Sequence, residues 1–143
     1  MKVVFRRATE ADLRGLWALD RRCFVRGENF TQAYFRDLLA NAKAVWVVSI
    51  GKIKFAGSYI VTKRWSTNET YLANLAVTPR CRGMGLGRMM LKRLIGRHKK
   101  PIWLHVRTGN PAIKLYKSAG FVVTSTNKQH YANGDGAHNM VLR

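Results

Sequence analysis

Residues 80–88, with the sequence RCRGMGLGR, place three glycines and three arginines between a strand-like segment and a helix-like segment. Glycine lets the backbone adopt left-handed conformations and lets a ligand approach the main chain closely. The N–H groups that open a helix are without helical partners, and the helix dipole adds positive potential there. The junction therefore predicts a phosphate or similar anion site in a chain that mixes strands and helices.

Two common phosphate-binding patterns do not fit this junction. A Walker loop requires Lys and then Ser or Thr after its last glycine, but Gly87 is followed by Arg and Met. The dinucleotide pattern G-x-G-x-x-G fails because Gly83-Met-Gly85 is followed by Leu-Gly-Arg. On the loop alone, simple turn glycines stay open as an alternative.

The order of the apolar patterns predicts a mixed α/β fold. Thr9 and Asp12 form a capping box before an amphipathic helix, Thr31 precedes a second helix, and Gly51-Lys52 separates two β-rich segments as in a hairpin. The glycine junction leads into a helix over 86–98. We expect the order β-α-α-β-β-β-α-β-α-β-β, with the strand TYLANLAVT in the centre of a mixed sheet and helices on both faces.

Length and composition predict one domain over residues 1–143. Apolar residues make up 47% of the chain, no run reaches the length of a membrane span, and the first residues lack a signal peptide. Cys23 and Cys81 are too few for a disulfide framework and lack metal-ligand spacing, so we expect a cytoplasmic protein without a metal.

The charge is unusually high for a small domain. The chain has 26 Lys and Arg against 7 Asp and Glu, a formal net charge of +19. Such a potential attracts nucleic acid, phosphorylated ligands or acidic proteins, and charge alone does not distinguish among them. A merely soluble surface stays open as the simpler interpretation.

Two segments together resemble the GNAT superfamily of N-acyltransferases. In VTPRCRGMGLG, Arg82, Gly85 and Gly87 occupy the positions of the family's acetyl-CoA loop. LHVRTGNPAIKLYKSAGF resembles the family's second segment, a strand followed by an Asn-capped helix with a Leu-Tyr…Gly-Phe ending. With NLAVTP and the tail HYANGDGAHNMVL, the layout is closest to the ribosomal-protein alanine N-acetyltransferase branch, and the resemblance covers almost the whole chain.

The resemblance implies acetyl-CoA as cosubstrate. It places the pyrophosphate of coenzyme A at the glycine junction and pantetheine beside residues 75–77, where two strands separate and the Val77 N–H is a candidate donor to the thioester carbonyl. The implied cofactor-binding residues are Leu75, Val77, Arg82, Gly83, Met84, Gly85, Leu86, Gly87, Arg88 and Asn110. Asn110 is also a helix cap, and both roles stay open.

The resemblance assigns the proton transfers to two residues. Tyr116 matches the family's general acid, since a phenol with a pKa near 10 is protonated at neutral pH and can protonate the departing thiolate. His105 stands where the nearest relatives carry Glu, and a His pKa near 6.5 suits a general base. A core role for Tyr116 and an ordinary hydrogen-bonded role for His105 stay open. Further base candidates are Glu28, Glu69, Asp135 or a bound water.

The expected function is direct transfer of an acetyl group from acetyl-CoA to an amine, most simply a protein N-terminal or lysine amine. His130, Tyr131 and His138 lie in the tail that bounds the acceptor site in relatives. The alternatives are acetylation of aminoacyl-tRNA or a small amine, and a non-catalytic coenzyme A module that binds nucleic acid or an acidic protein. We expect a protein acceptor, ribosome- or nucleic-acid-associated, with RNA contact through the basic surface and no membrane. The oligomeric state stays open.

Overall fold

A computed structural model of the chain describes residues 2–24, 29–41 and 44–143. In these ranges the order of strands and α-helices matches the order that the sequence predicts, and the α/β interpretation is confirmed. The strands are β1 (Val3–Arg7), β2 (Ala44–Ile50), β3 (Ile53–Lys63), β4 (Thr70–Val77), β5 (Ile102–Arg107), β6 (Val122–Asn127) and β7 (Ala137–Leu142). The helices are α1 (Leu13–Cys23), α2 (Gln32–Asn41), α3 (Leu86–Arg97) and α4 (Ala112–Ser118).

The strands form one mixed sheet in the order β1-β2-β3-β4-β5-β7-β6. All neighbours pair antiparallel except β4 and β5, which are parallel. Gly51, with φ +55°, lies in the predicted hairpin between β2 and β3. β4, the predicted central strand, is the fourth of the seven strands.

Polar side chains start the helices as the sequence predicts, with one local difference. The Thr9 N–H donates to Asp12 Oδ2 at 2.8 Å, but a short 3₁₀ turn over Glu10–Asp12 precedes α1. The Tyr34 N–H donates to Thr31 Oγ1 at 3.1 Å at the start of α2. The Ala112 N–H donates to Asn110 Oδ1 at 2.9 Å, so Asn110 does cap α4.

Two apolar clusters cover opposite faces of the sheet. Val45 and Val47 of β2 face a cluster with α1 and α2, whereas Trp46 and Val48 face a larger cluster with α3 and α4. This alternation follows from the two-residue period of a strand. Helices therefore lie on both faces, as expected.

The parallel pair β4 and β5 is joined only over a short stretch. Thr70, Tyr71 and Leu72 pair with Ile102, Trp103 and Leu104, and no further pairs join the two strands. Beyond this point β4 continues along β3, and β5 continues along β7. The two central strands consequently separate towards their C-terminal ends, which opens the sheet between residues 73–77 and 105–107.

Candidate functional site

A cavity of about 650 Å³ lies where β4 and β5 separate. Its walls come from the C-terminal halves of both strands, from the end of α1, from the start of α3, from α4 and from the turn between β6 and β7. Seven of the predicted site residues line it: Leu75, Val77, Arg82, Gly87, His105, Asn110 and Tyr116. The fold thus brings together residues that are up to 41 positions apart in the chain.

The backbone of β4 presents polar groups to this cavity. The Thr78 N–H donates to the Ala56 carbonyl at 2.9 Å, so these two residues face each other across β3 and β4 as a hydrogen-bonded pair. Antiparallel pairing alternates, and therefore the N–H and C=O of Val77 and Leu75 point away from β3, towards the gap. The Val77 carbonyl accordingly accepts from Arg82 Nε at 3.1 Å and from Cys23 Sγ at 3.2 Å.

The glycine junction has the geometry of an anion-binding loop. Gly83 and Gly85 have φ values of +81° and +80°, and a Cβ at either would meet nothing within 4 Å. Gly85 precedes α3, whose first N–H groups have no helical partner. Gly87 lies against the cavity, and a Cβ there would stand 3.2 Å from Leu115 Cδ2.

Five of the predicted cofactor residues lie in the junction but do not line the cavity itself: Gly83, Met84, Gly85, Leu86 and Arg88. The Leu86 side chain is buried in the core, so only its backbone is available to a ligand. Met84 and Arg88 are exposed.

Tyr116 belongs to both the core and the cavity. Its side chain is 6% exposed, its ring packs against Phe121 with centroids 5.9 Å apart, and it lines the cavity wall. Burial, reinforced by Tyr131, raises the pKa of the Tyr116 phenol above its ordinary value. The group therefore stays protonated at neutral pH, as a general acid requires.

His105 forms a cluster with aromatic residues from other strands. Its Nδ1 lies 2.8 Å from the hydroxyl of Tyr71, and its ring stacks on His130 with centroids 5.0 Å apart. Burial, then the charges of His130 and Arg64, lower the His105 pKa from its ordinary value. The imidazole is thus neutral at pH 7 and able to accept a proton.

The other base candidates are placed differently. Glu69 Oε1 accepts a hydrogen bond from Trp103 Nε1 at 3.1 Å, and Asp135 Oδ2 accepts one from Asn133 Nδ2 at 3.1 Å. Neither carboxylate lines the cavity. Glu28 lies outside the described residues.

The tail contributes two of its three predicted acceptor-site residues to the cavity. His130 and Tyr131 line it, and both N–H groups donate to the Asp135 carbonyl at 2.9 Å, which fixes the turn. His138 instead lies 2.8 Å from Thr126 Oγ1, through its Nδ1, and does not line the cavity.

Sequence reasoning missed several polar residues of the cavity, among them Tyr71 and Asp20. In the sequence alone, Tyr71 looks like an ordinary strand residue, and Asp20 looks like a polar residue of the first helix. Asp20 is 2% exposed, and its carboxylate accepts from the Phe30 N–H at 3.0 Å and from Asn74 Nδ2 at 3.4 Å. Because its partners come from other elements, no local pattern marks Asp20 as a site residue.

Within the described ranges, no group of three His, Cys, Asp or Glu side chains is arranged to hold a metal ion. No helix in those ranges is long and apolar enough to cross a bilayer.

The sequence profile for the acetyltransferase (GNAT) family matches residues 13–121. The chain is also similar to enzymes named [ribosomal protein bS18]-alanine N-acetyltransferase. It is 36% identical to that of Escherichia coli K12 over 80 residues, which is 52% of this chain and 54% of the relative. It is 34% identical to that of Haemophilus influenzae over 73 residues, or 48% and 50% of the two chains. The chain spans about half the length of these curated relatives in the alignments.

Solved structures show the same fold. The ribosomal-protein-S18-alanine N-acetyltransferase of Escherichia coli superposes with a TM-score of 0.84 and 25% identity, covering 99% of this chain and 93% of that one. Arabidopsis thaliana Naa50, in complex with the bisubstrate analogue CoA-Ac-MVNAL, superposes with a TM-score of 0.84 and 23% identity, covering 100% of this chain and 99% of that one. Ard1 from Thermoplasma volcanium superposes with a TM-score of 0.86 and 24% identity, covering 99% of this chain and 97% of that one.

Proposed function

Because the chain belongs to the GNAT acetyltransferase family, we propose that it transfers an acetyl group from acetyl-CoA directly to an amine. The observation that carries this proposal is the cavity between β4 and β5. It combines a free strand edge, the N-terminus of α3 after a glycine-rich loop, and the buried phenol of Tyr116 on the opposite wall.

The residues around the cavity fit coenzyme A in three parts. The N–H groups from Arg82 to Arg88 and the guanidinium groups of both arginines would bind the pyrophosphate. The N–H and C=O groups of Leu75 would hydrogen-bond the amides of pantetheine as a neighbouring strand would, and the Val77 N–H would hold the thioester carbonyl oxygen. The polar parts of the cosubstrate would thus meet main-chain groups that the open sheet leaves available.

Two side chains would move the protons. The neutral amine attacks the thioester carbonyl carbon, forms the new C–N bond and gives up a proton to His105. As the C–S bond breaks, Tyr116 gives its phenolic proton to the sulfur. The phenol then regains a proton from solvent or from the amine side, so the enzyme returns to its starting state with acetylated amine and free thiol as products.

His105 acts as base in one tautomer. If Nδ1–H donates to the Tyr71 hydroxyl oxygen, Nε2 carries the lone pair and can accept a proton. The 2.8 Å contact supports this role for Tyr71, since it would fix the ring orientation, and the hydroxyl oxygen can accept the Nδ1 proton in the tautomer that acts as base. Burial also raises the pKa of Tyr71, so its hydroxyl stays neutral beside the imidazole.

The proposed acceptor is a protein amine. The curated relatives are named for the alanine of a ribosomal protein. His130 stacks on His105 and Tyr131 lines the same cavity, where both would contact the incoming chain. We propose an acceptor that is associated with the ribosome or with nucleic acid, in the cytoplasm, where the free thiols of Cys23 and Cys81 would persist.

The net charge of +19 favours one second candidate, acetylation of the amino group of aminoacyl-tRNA. Both candidates use the same cavity and differ in what carries the amine. A non-catalytic coenzyme A module is the third interpretation, and the buried Tyr116 in the cavity wall is an argument against it.

Mass spectrometry of a cell extract incubated with the protein and isotopically labelled acetyl-CoA tests the proposal. We expect label on the amine of a small number of proteins, and none when Tyr116→Phe replaces the parent protein. Label that appears instead on tRNA-bound amino acids would establish the second candidate. If neither class is labelled while calorimetry shows that acetyl-CoA binds, the non-catalytic module replaces this proposal.

A further inference from the structure

Three arginines surround the ring of Trp46, on the α3 face of the sheet and away from the cavity. The guanidinium carbons of Arg7, Arg93 and Arg97 lie 5.4, 4.7 and 5.2 Å from the Trp46 ring centroid. We infer that this group, which we term the arginine cluster, binds phosphate groups of an RNA backbone.

The arginine cluster is built by register and helix period. Arg7 of β1 pairs directly with Trp46 of β2, which pairs directly with Tyr59 of β3, so the three side chains share one face of the sheet. Arg93 and Arg97 lie four residues apart on α3 and hence on one side of that helix. Secondary-structure elements from distant parts of the chain therefore converge on one ring.

Among the described residues, no carboxylate forms an ion pair with an arginine of the cluster. The ion pair found in the described part of the chain joins Arg6 to Asp12, and neither residue belongs to the cluster. Like charges four residues apart on a helix repel each other, and the contacts with Trp46 and Phe5 offset this repulsion only partly. Residues 80–100 contain eight Lys or Arg and no Asp or Glu, so α3 brings no carboxylate to the cluster.

Among the described residues, one buried polar atom of the arginine cluster also lacks a partner. The buried Nε of Arg93 has no hydrogen-bond partner among the described residues, and the Arg93 side chain lies against the hydroxyl of the fully buried Tyr59. Burial raises the pKa of Tyr59, while a hydrogen bond from Arg93 and then the charges of Arg93, Arg97 and Arg7 act to lower it. An oxyanion over the cluster would accept hydrogen bonds from the exposed guanidinium groups of Arg7 and Arg97.

The cluster is separate from the proposed coenzyme A site. Arg97 follows Gly87 by ten residues of α3, a distance of about 15 Å along the helix. Trp46 lies on β2, two strands away from β4 and thus about 10 Å from it across the sheet. One coenzyme A pyrophosphate at the glycine junction therefore leaves the arginine cluster free.

A phosphodiester backbone fits the cluster better than an isolated anion does. Guanidinium groups match phosphate oxygens through paired N–H donors. Exposed Lys92, Lys99 and Lys100 extend the positive surface beyond the cluster along the same helix and its end. A chain that carries one negative charge per nucleotide would contact both the cluster and these lysines.

Fluorescence anisotropy with a short labelled oligouridylate, over a series of KCl concentrations, tests this site. The test variant is Arg7→Gln/Arg97→Gln, which removes two positive charges at exposed positions. The matched control is Arg14→Gln/Arg36→Gln, which removes the same charge from exposed positions on α1 and α2, on the other face of the sheet. We expect the test variant to bind at least about tenfold more weakly, with a salt slope smaller by about 1.4, and the control to change about twofold or less.

Equal losses in the two variants, or no loss in either, would overturn the site. If oligoglutamate binds more tightly than the RNA and its binding depends on Arg7 and Arg97, the partner is an acidic protein and the RNA assignment is wrong.

Inorganic phosphate should raise the melting temperature of the parent and the control more than that of the test variant. Acetyl transfer to a peptide acceptor should be the same in both variants. If the parent protein transfers no acetyl group, the proposed enzyme activity is wrong, whereas the RNA result is unaffected.

Discussion

The hydroxyl of Tyr71 and Nδ1 of His105 lie 2.8 Å apart across the opening between β4 and β5. The two residues are on neighbouring parallel strands, just where pairing between these strands ends. This contact gives an imidazole on the cavity wall a fixed orientation. It also makes the proposed base depend on a residue that the sequence did not single out.

The pH dependence of kcat/KM should report His105. Its pKa is lowered from the ordinary value of 6.5, chiefly by burial and next by the charge of His130. A base acts when deprotonated, so activity should rise through a limb centred below 6.5 and this limb should vanish in His105→Ala. His130→Asn removes a repelling charge, so the limb should shift upwards.

With an α-amino acceptor, kcat/KM should rise a second time near pH 8, as the amine of the acceptor loses its proton, and this second limb serves as an internal control. It should persist in both histidine variants. Tyr71→Phe should lower kcat while leaving the affinity for acetyl-CoA unchanged, since it removes only the contact to Nδ1. If His105→Ala retains the parental profile, the base is a water or another group, and Asp20 is then the carboxylate to test.

Tyr116→Phe should lower kcat by about 10²- to 10⁴-fold with little change in the KM for acetyl-CoA, as expected for a lost general acid. Because burial raises the Tyr116 pKa, the parent should show no loss of activity from phenol ionisation up to pH 10. Phenylalanine keeps the ring contact with Phe121, so the melting temperature should hardly change. A normal kcat with a lower melting temperature would make Tyr116 only a core residue.

Gly87→Val should weaken binding of acetyl-CoA by about tenfold or more, because the added side chain would stand where the cosubstrate meets the start of α3. The matched control is Gly96→Val, in the same helix, where an added Cβ would meet nothing within 4 Å. Calorimetry with acetyl-CoA should separate the two variants. Equal affinities in two folded proteins would contradict the assignment of the junction to the pyrophosphate.

Local patterns predicted most of the fold. The caps at Thr31 and Asn110, the hairpin at Gly51 and the glycine junction depend on neighbours within a few residues, and the structure has them as expected. The amphipathic helix predicted after the capping box differs at its start, because the Thr9–Asp12 contact closes a 3₁₀ turn.

The cavity was predictable only in part. Tyr116 and the glycine loop belong to contiguous segments with a family pattern. The contacts of His105 with Tyr71 and of Asp20 with Asn74 join residues 34 and 54 positions apart. Such contacts are set by strand register and helix packing, which no local pattern in one sequence encodes. The arginine cluster was missed for the same reason, since the sequence shows its charge but not its convergence on Trp46.

The pair of Arg6 and Asp12 makes a separate prediction about stability. Two hydrogen bonds of 2.9 Å join the guanidinium to the Asp12 carboxylate, which also accepts the Thr9 N–H. Asp12→Asn should therefore lower the free energy of unfolding at pH 7 by about 1–3 kcal/mol, the typical effect of removing a charged hydrogen-bond partner. Urea unfolding measures this difference.

The loss of stability in Asp12→Asn should depend on pH. The hydrogen bond from Arg6 is the largest cause that lowers the Asp12 pKa below its ordinary 3.8. A depressed carboxylate pKa stabilises the folded state above the unfolded pKa, and this contribution disappears as pH falls through the folded value. The difference between parent and Asp12→Asn should thus be constant from pH 5 to 7 and shrink below about 3.8. Glu10→Gln, an exposed neighbour, is the control and should show neither effect. A difference that persists undiminished at pH 2 would mean that Asp12 contributes by packing, and the ion pair would then have no measurable part in stability.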